Sequence, residues 1–383
     1  MAIRTDSELG RSLLTERGMQ WLYAHGGDPY AVLIRAEDDD RATTTARIRE
    51  LGPLHRSHSG AWVSGNHALG REILGDPRLV SRVLHGPWAG GPEPGEVFSA
   101  LPAVGFVPAW ESADPDRWAS FAERRCAAVL GRLGDSFDLV ADLVRPVLVG
   151  VVGEVLAVPS AERAAFGRWC GSAATALDAV LCPPTLPRAR ALIDAVEGLR
   201  SLSARSTGPD EELLAFAMTA SVVGLETTAN LLANTMLALL NRPDRWRLVC
   251  ADPTWAHSAV EETLRLDPPV RLDSRIVNED LELAGRAITA GSEVVVCLEA
   301  AHTDPELHRD PQDFDLRRET AADHLSLSGG PPFAVVAPLV RASTVAVLRV
   351  LAARLPAVRR AGPVVRRLRA PVTQGIVRFP VAC

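Results

Sequence analysis

The sequence predicts a mainly α-helical fold with a small β-sheet region. The chain has 383 residues, of which 47% are hydrophobic, enough to bury a large core. Most of the chain has the composition or the apolar spacing of helices, whereas strand signals are few and clustered. No repeat or long linker divides it, and its Pro/Gly-rich stretches are short enough to be loops. We therefore predict one domain over residues 1–383.

The longest predicted helix covers residues 210–241 and would be about 48 Å long at 1.5 Å per residue. Pro243 ends it, because proline cannot continue a helix. The other predicted helices are 41–51, 66–74, 116–133, 139–156, 161–180, 255–266 and about 338–355. The predicted strands are 60–64, 275–277, 281–283, 286–289 and 294–298.

Charge and cysteine usage argue against several classes of function. A net charge of −6 is not that of a chain built as a whole to attract nucleic acid or an anionic membrane. The six cysteines form no CxxC pair and show no zinc-finger spacing, which predicts reduced thiols and no metal site. The N-terminus has no export signal, so we expect a cytoplasmic protein. The arginines near the C-terminus are interpreted as a solvated face: 359, 360, 366, 367 and 369.

Residues 213–240 are apolar enough and long enough to span a bilayer. They also contain Glu226, Asn230 and Asn234, and a carboxylate in the middle of a membrane is costly. A buried central helix of a globular protein is therefore the better interpretation, and no membrane association is expected.

Five motifs in a fixed order carry a family resemblance. They lie at 62–78, 223–228, 262–265, 280–306 and 324–341. In this order and spacing they resemble the cytochrome P450 family along nearly the whole chain. The resemblance implies that family's triangular prism fold, built mainly of helices.

The Glu262–Arg265 motif resembles the family's buried Glu-x-x-Arg pair. Residues three apart on a helix share a face and can pair. In the family a loop arginine completes this pair and locks the core, but Asp313 stands where that arginine is expected. We therefore expect either an incomplete lock or a pairing of Arg265 with Asp313. Both helix residues are interpreted as structural.

Glu226 and Thr227 resemble the acid–alcohol pair that delivers protons to iron-bound oxygen in this family, with Gly224 allowing the helix to bend. That role requires an iron centre. The favoured alternative is an inherited helix whose carboxylate and hydroxyl now form local hydrogen bonds.

The segment that resembles the haem-binding loop lacks the iron ligand. A haem-thiolate enzyme needs a cysteine thiolate on the iron, and the aligned residue is Ala334. Val336 replaces the glycine that packs beneath the porphyrin, and Pro332 replaces a residue that bonds a propionate. Neither Cys297, in a predicted strand, nor His324, about ten residues from the ligand position, can substitute.

Other haem contacts implied by the resemblance are also absent. Trp118 and Ala122 stand where the family has a histidine and an arginine for the propionates. Arg275 matches a further propionate arginine, although an arginine there can equally pair with an acid. We therefore predict a haem-free domain with no catalytic, cofactor-binding or metal-binding residues and no cofactor.

Segments near both termini resemble one subgroup: the haem-less auxiliary proteins of antibiotic deoxysugar glycosyltransferases. The segments are 17–21, 27–30 and 366–372. This resemblance implies a non-catalytic partner that binds, stabilises and activates a glycosyltransferase of macrolide or anthracycline-type biosynthesis, in a hetero-oligomer. Trp21, Tyr23 and Tyr30 are candidate interface anchors, and burial in the core is an equal alternative for each.

Two alternatives remain open at this point. One is a P450-type monooxygenase that binds haem through an unusual ligand or has lost the ligand by mutation, which an absorption spectrum with added haem would reveal. The other is a cofactor-free protein that holds the acceptor aglycone in a residual small-molecule pocket, which calorimetry with the aglycone would reveal.

Overall fold

The computed structural model describes residues 5–37, 40–81, 115–207, 211–328 and 331–383. Their α-helices are α1 Asp6–His25, α2 Pro29–Arg35, α3 Arg41–Glu50, α4 His67–Gly75, α5 Pro115–Leu130, α6 Arg145–Val155, α7 Arg163–Ala173, α8 Ala176–Ala179, α9 Leu186–Thr207, α10 Glu211–Thr219, α11 Leu225–Leu240, α12 Pro243–Ala251, α13 Trp255–Leu266, α14 Leu298–His302 and α15 Pro331–Arg354. Two π-helical segments precede α6 and α11, at Leu139–Val144 and Ala220–Gly224.

The strands are short: β1 His55–Arg56, β2 Trp62–Ser64, β3 Leu79–Ser81, β4 Ser136–Asp138, β5 Leu272–Val277, β6 Leu281–Leu283, β7 Arg286–Ile288, β8 Glu293–Cys297, β9 Arg359–Arg360, β10 Val365–Arg366, β11 Ile376–Arg378 and β12 Pro380–Ala382. The largest sheet has the order β1-β2-β8-β5-β3. Only its β2–β8 pair is parallel. The predicted mainly helical fold with a small sheet region is confirmed.

Side-chain caps explain where several helices begin. Thr5 and Glu8 form a reciprocal capping box at α1. The Asp28 carboxylate accepts the Ala31 N–H at the start of α2, and its second oxygen accepts from the Ser57 hydroxyl and the His58 N–H. Asp28, from one of the segments at the N-terminus that carry the subgroup resemblance, is thus a buried structural residue that joins α2 to the loop after β1.

The predicted long helix is nearly continuous but contains the π-helical turn, and it ends at Leu240. Pro243 begins the next helix rather than ending this one. The long helix lies in the interior: Phe216–Leu240 is apolar enough to cross a membrane, yet 89% of its most apolar window is buried. A second such helix, Val336–Arg354, is 61% buried. Both are core helices of this fold.

The Glu262–Arg265 pair is locked, and the expectation about Asp313 was wrong. Arg318, five residues further on, donates to Glu262 Oε1 at 3.1 Å. Arg265 does not pair with the Asp313 carboxylate and donates instead to its backbone carbonyl at 3.1 Å. Arg265 also binds Glu262 through two bonds of 2.8 Å. Arg318 is therefore the loop arginine of the lock, because the loop brings residue 318, and not residue 313, to the Glu262 carboxylate.

A fully buried histidine ties the segment before α15 to this lock. His302 Nδ1 lies 2.9 Å from the Arg265 carbonyl, and its Nε2 accepts the Leu325 N–H at 2.8 Å. The imidazole is therefore neutral, with its proton on Nδ1. Burial, and then the neighbouring His324, lower the pKa of His302 well below its ordinary value.

This histidine predicts a loss of stability in mild acid. Below about pH 6.5 the unfolded chain protonates His302 whereas the folded chain does not, so the unfolded state binds more protons. The free energy of unfolding should therefore fall from pH 7.5 to pH 5.5, with His302 contributing up to about 1.4 kcal/mol per pH unit. Urea unfolding at both pH values measures this. An equal pH dependence in His302→Gln would contradict the assignment to His302.

Candidate functional site

The start of α15 packs directly against the π-helical turn of the long helix. Val336 is fully buried there. A Cβ added at Gly224 would lie 3.2 Å from Val336 Cγ1 and 3.4 Å from Val336 Cβ, which is tighter than most such contacts. The helix begins at Pro331, so residue 334 lies within it. The Val336 side chain therefore occupies the space that the missing side chain of Gly224 leaves beside the long helix.

Residues on both sides of this contact are also packed into the interior. Trp118 and Ala122 are buried on α5, which packs along α15. Arg275 is buried in β5, where it donates to both oxygens of Asp273 at 3.0 and 3.2 Å. Between β5 and Phe333 the described residues enclose a cavity of about 10 Å³, enough for about one water molecule.

Glu226 is held by two arginines from distant parts of the chain. Its oxygens accept from Arg145 at 2.8 Å and from Arg367 at 2.9 Å. Burial alone would raise the pKa of this carboxyl, but the two guanidinium groups more than offset it and hold the pKa below its ordinary value. The favoured expectation of local hydrogen bonds differs from the structure: Glu226 pairs over long range, and the Thr227 hydroxyl has no partner among the described residues.

The same arginine joins a second buried acid. Arg367 lies 3.7 Å from Asp178, whose carboxylate accepts from the Val372 N–H and from both the N–H and the hydroxyl of Thr373. Burial raises the pKa of Asp178 to about 6, against the attraction of Arg367 and the bonds from Thr373. Residues 367–373 are thereby tied to Glu226 of the long helix and to Asp178 of α8.

The other residues singled out in the sequence have structural surroundings. Cys297 is buried in β8, and His324 is bonded to Glu261 at 3.1 Å. Tyr30 is a core residue, Tyr23 is half-buried and Trp21 is exposed. No group of three or more His, Cys, Asp or Glu side chains within the described part of the chain is arranged to hold a metal ion. Arg145 and Asp178 were missed, because nothing local in the sequence marks them as partners of Glu226. The interpretation of Arg367 as part of a solvated face was wrong, because its side chain is only 10% exposed and pairs with Glu226.

Shortening Val336 tests the helix contact. Val336→Ala removes two fully buried methyl groups, one of which faces Gly224, and should lower the free energy of unfolding by about 2 kcal/mol. Urea unfolding measures the loss. The matched control is Val377→Ala, because Val377 is 40% exposed and should change stability by less than about 0.5 kcal/mol. Equal effects of the two variants would contradict the packing.

Known proteins resemble this chain in sequence and in fold. The family model described as Cytochrome P450 matches residues 255–326. Protein AknT of Streptomyces galilaeus is 41% identical, over 99% of this chain and 96% of its own. Cytochrome P450 family protein EryCII of Saccharopolyspora erythraea is 34% identical, over 97% of each chain. Ligand-free CYP164A2 of Mycobacterium smegmatis has a TM-score of 0.74 and 26% identity, over 90% of this chain and 96% of its own. This chain therefore belongs to the cytochrome P450 family.

Proposed function

We propose that this chain is a non-catalytic auxiliary protein, a single haem-free domain over residues 1–383. In this proposal it binds, stabilises and activates a deoxysugar glycosyltransferase of macrolide or anthracycline-type antibiotic biosynthesis. It acts in the cytoplasm and forms a hetero-oligomer with the transferase encoded in the same pathway. It binds neither nucleic acid nor a membrane.

The contact between Val336 and Gly224 carries this proposal. The fold family places a haem between these two helices, and the residues present do not fit it. The side chain of Ala334 has no lone pair with which to bind iron, and the Val336 side chain packs against the π-helical turn at Gly224. Arg275, the remaining candidate for a propionate, is neutralised by Asp273.

The mechanism that fits a catalytically silent partner is thermodynamic linkage. A protein that binds only the competent conformer of an enzyme raises its population and protects it from unfolding. A differential binding free energy of about 5.5 kcal/mol moves a two-state population from about 1% to about 99% active. An interface of roughly 1,600 Å² in total is the size at which protein pairs form stable specific complexes. The auxiliary chain then needs a rigid surface and no reactive group.

Two further observations support this function. The similarity to Protein AknT and to EryCII extends over almost the whole length of both chains. Glu226, which would supply protons beside a haem, is occupied by Arg145 and Arg367. A carboxylate fixed between two guanidinium groups is a stabilising residue rather than a proton donor.

Co-expression with the neighbouring glycosyltransferase tests the proposal. We expect more soluble transferase, and a higher turnover per mole of transferase, when the chain is present than when the transferase is expressed alone. The control is a co-expressed haem-containing P450 of similar size, which should give no gain. A transferase that is equally soluble and equally active alone would contradict the proposed function.

A further inference from the structure

The first helix has a strongly apolar exposed side. Leu14 is 75% exposed, Leu22 66% and Trp21 45%. On a helix, residues 14, 18, 21 and 22 lie on one face, and residue 18 is a glycine. Three large apolar side chains around a glycine form a shallow surface that a partner can approach closely. Clustered exposure of this kind marks interaction sites, unlike single exposed apolar residues.

The opposite side of α1 holds the helix firmly on the fold. Leu9 and Leu13 pack against Ala189 of α9. Gln20 donates to the Leu181 carbonyl at 2.7 Å, and the capping box fixes the first turn. The apolar face is therefore displayed on a rigid element, so little conformational entropy is lost when a partner binds it.

Positive charge borders this face. The Arg35 guanidinium stacks over the Trp21 ring at 5.2 Å and is paired with Glu37 at 3.6 Å. Arg17 donates to Cys182 Sγ at 3.4 Å. The pKa of Arg369 lies below its ordinary value because of partial burial and then repulsion by Arg17 and Arg188. Within the described ranges, Arg17, Arg188 and Arg369 form no ion pair with a carboxylate.

The border brings together two segments that are far apart in the sequence. Arg17 belongs to the 17–21 segment and Arg369 to the 366–372 segment, both of which carry the subgroup resemblance. Leu368 beside Arg369 is also exposed, and it lines an open groove with Ala36 and Glu37. We call the surface made of Leu14, Trp21, Leu22, Leu368 and the arginines 17, 35, 188 and 369 the α1 surface.

We propose that the α1 surface is the docking site for the glycosyltransferase, which presents to it an apolar groove bordered by carboxylates. This inference rests on the proposed function and names the face through which it acts. A helix about 30 Å long and about 10 Å wide covers only about 300 Å², whereas a stable interface needs roughly 800 Å² on each partner. The helix is thus the apolar centre, and the arginines and Leu368 form its border.

The charges favour this occupant over a second copy of the chain. A two-fold symmetric contact centred on α1 would bring the arginine borders of both copies close together, and like charges brought together at an interface are costly. An anionic membrane is disfavoured too, because α1 carries the acidic residues Asp6, Glu8 and Glu16, whereas helices that lie on membranes are rich in Lys and Arg on their polar face. An acidic border on a different protein complements the arginines and leaves the apolar centre to provide affinity.

The decisive experiment measures binding of the purified transferase to the full-length chain and to Leu14→Glu/Leu22→Glu. We expect the dissociation constant to rise roughly 30-fold or more, because apolar anchors at an interface centre dominate binding. The matched control is Leu307→Glu, at an exposed residue outside the α1 surface. It should change the dissociation constant less than about 3-fold. Because all these side chains are exposed, the melting temperatures should stay within about 2 °C of the parent.

A charge-reversed variant tests the border separately. Arg188→Glu/Arg369→Glu should slow association about 10-fold at low salt, and the difference should shrink at high salt. Unchanged transferase binding by Leu14→Glu/Leu22→Glu would overturn the α1 surface and leave the proposed function intact. A parent chain that does not bind the transferase would overturn both. If transferase binding persists in that variant but self-association is lost, the face belongs to a second copy of the chain. If transferase binding persists but pelleting with phosphatidylserine vesicles is lost, the face belongs to a membrane.

Discussion

Replacing Glu226 by alanine should lower the free energy of unfolding by about 3 kcal/mol. The variant leaves Arg367, whose side chain is only 10% exposed, without its closest acid, and removing one partner from a buried ion pair typically costs about 3–5 kcal/mol. Asp178 at 3.7 Å still attracts Arg367, which places the expected loss at the lower end. Arg145 is 22% exposed and recovers some solvation.

Urea unfolding followed by far-ultraviolet circular dichroism measures this loss. Glu282→Ala is the control, because Glu282 is exposed on β6 and should change stability by less than about 0.5 kcal/mol. Glu226→Gln should fall between the two, since it keeps the shape and one acceptor oxygen but loses the charge. If Glu226→Ala is as stable as the control, the carboxylate is not the tie that the structure describes.

Replacing Glu262 by alanine should have a larger effect, about 4–5 kcal/mol, close to the total stability of many domains. Glu262 and Arg265 are both fully buried. The carboxylate accepts two bonds from Arg265, one from Arg318 and one from the Asp315 N–H. The variant would leave Arg265 as an uncompensated charge in the core, held only by backbone carbonyls.

Soluble yield and urea unfolding measure this second loss. Arg318→Ala provides a graded comparison. It removes one bond to Glu262 and three to the loop carbonyls of residues 309, 310 and 313, but it leaves the Glu262–Arg265 pair intact, so it should cost roughly 1.5–3 kcal/mol. If Glu262→Ala has the same free energy of unfolding as Arg318→Ala, the Glu262–Arg265 pair adds little stability beyond that provided by Arg318.

Motifs that depend on local spacing could be predicted from the sequence. Glu262 and Arg265 are three residues apart on one helix, and the long helix follows from an uninterrupted apolar run. The third member of the lock was misplaced because the arginine was sought at residue 313. The loop from 310 to 318 folds back on Glu262, and only the folded backbone shows which of its residues arrives there.

The charged cluster at Glu226 could not be predicted. Arg145 and Arg367 lie 81 and 141 residues away from it, and no local pattern encodes a pairing over such distances. Helix α1 was missed for a different reason: Leu14 and Leu22 lie on its exposed side while Leu9 and Leu13 lie on its buried side. Apolar residues on both sides remove the periodicity that identifies a helix in sequence, and the same feature suits a helix that binds a partner.

The central claim is that this P450 scaffold acts through its surface and without haem. The most direct test titrates the purified chain into the glycosyltransferase, with the absorption spectrum of the same sample recorded after addition of haem and removal of the excess. We expect turnover to rise and to saturate near stoichiometric amounts of the chain, with no retained Soret band. A stoichiometric Soret band, or activation that appears only in the haem-loaded sample, would contradict it.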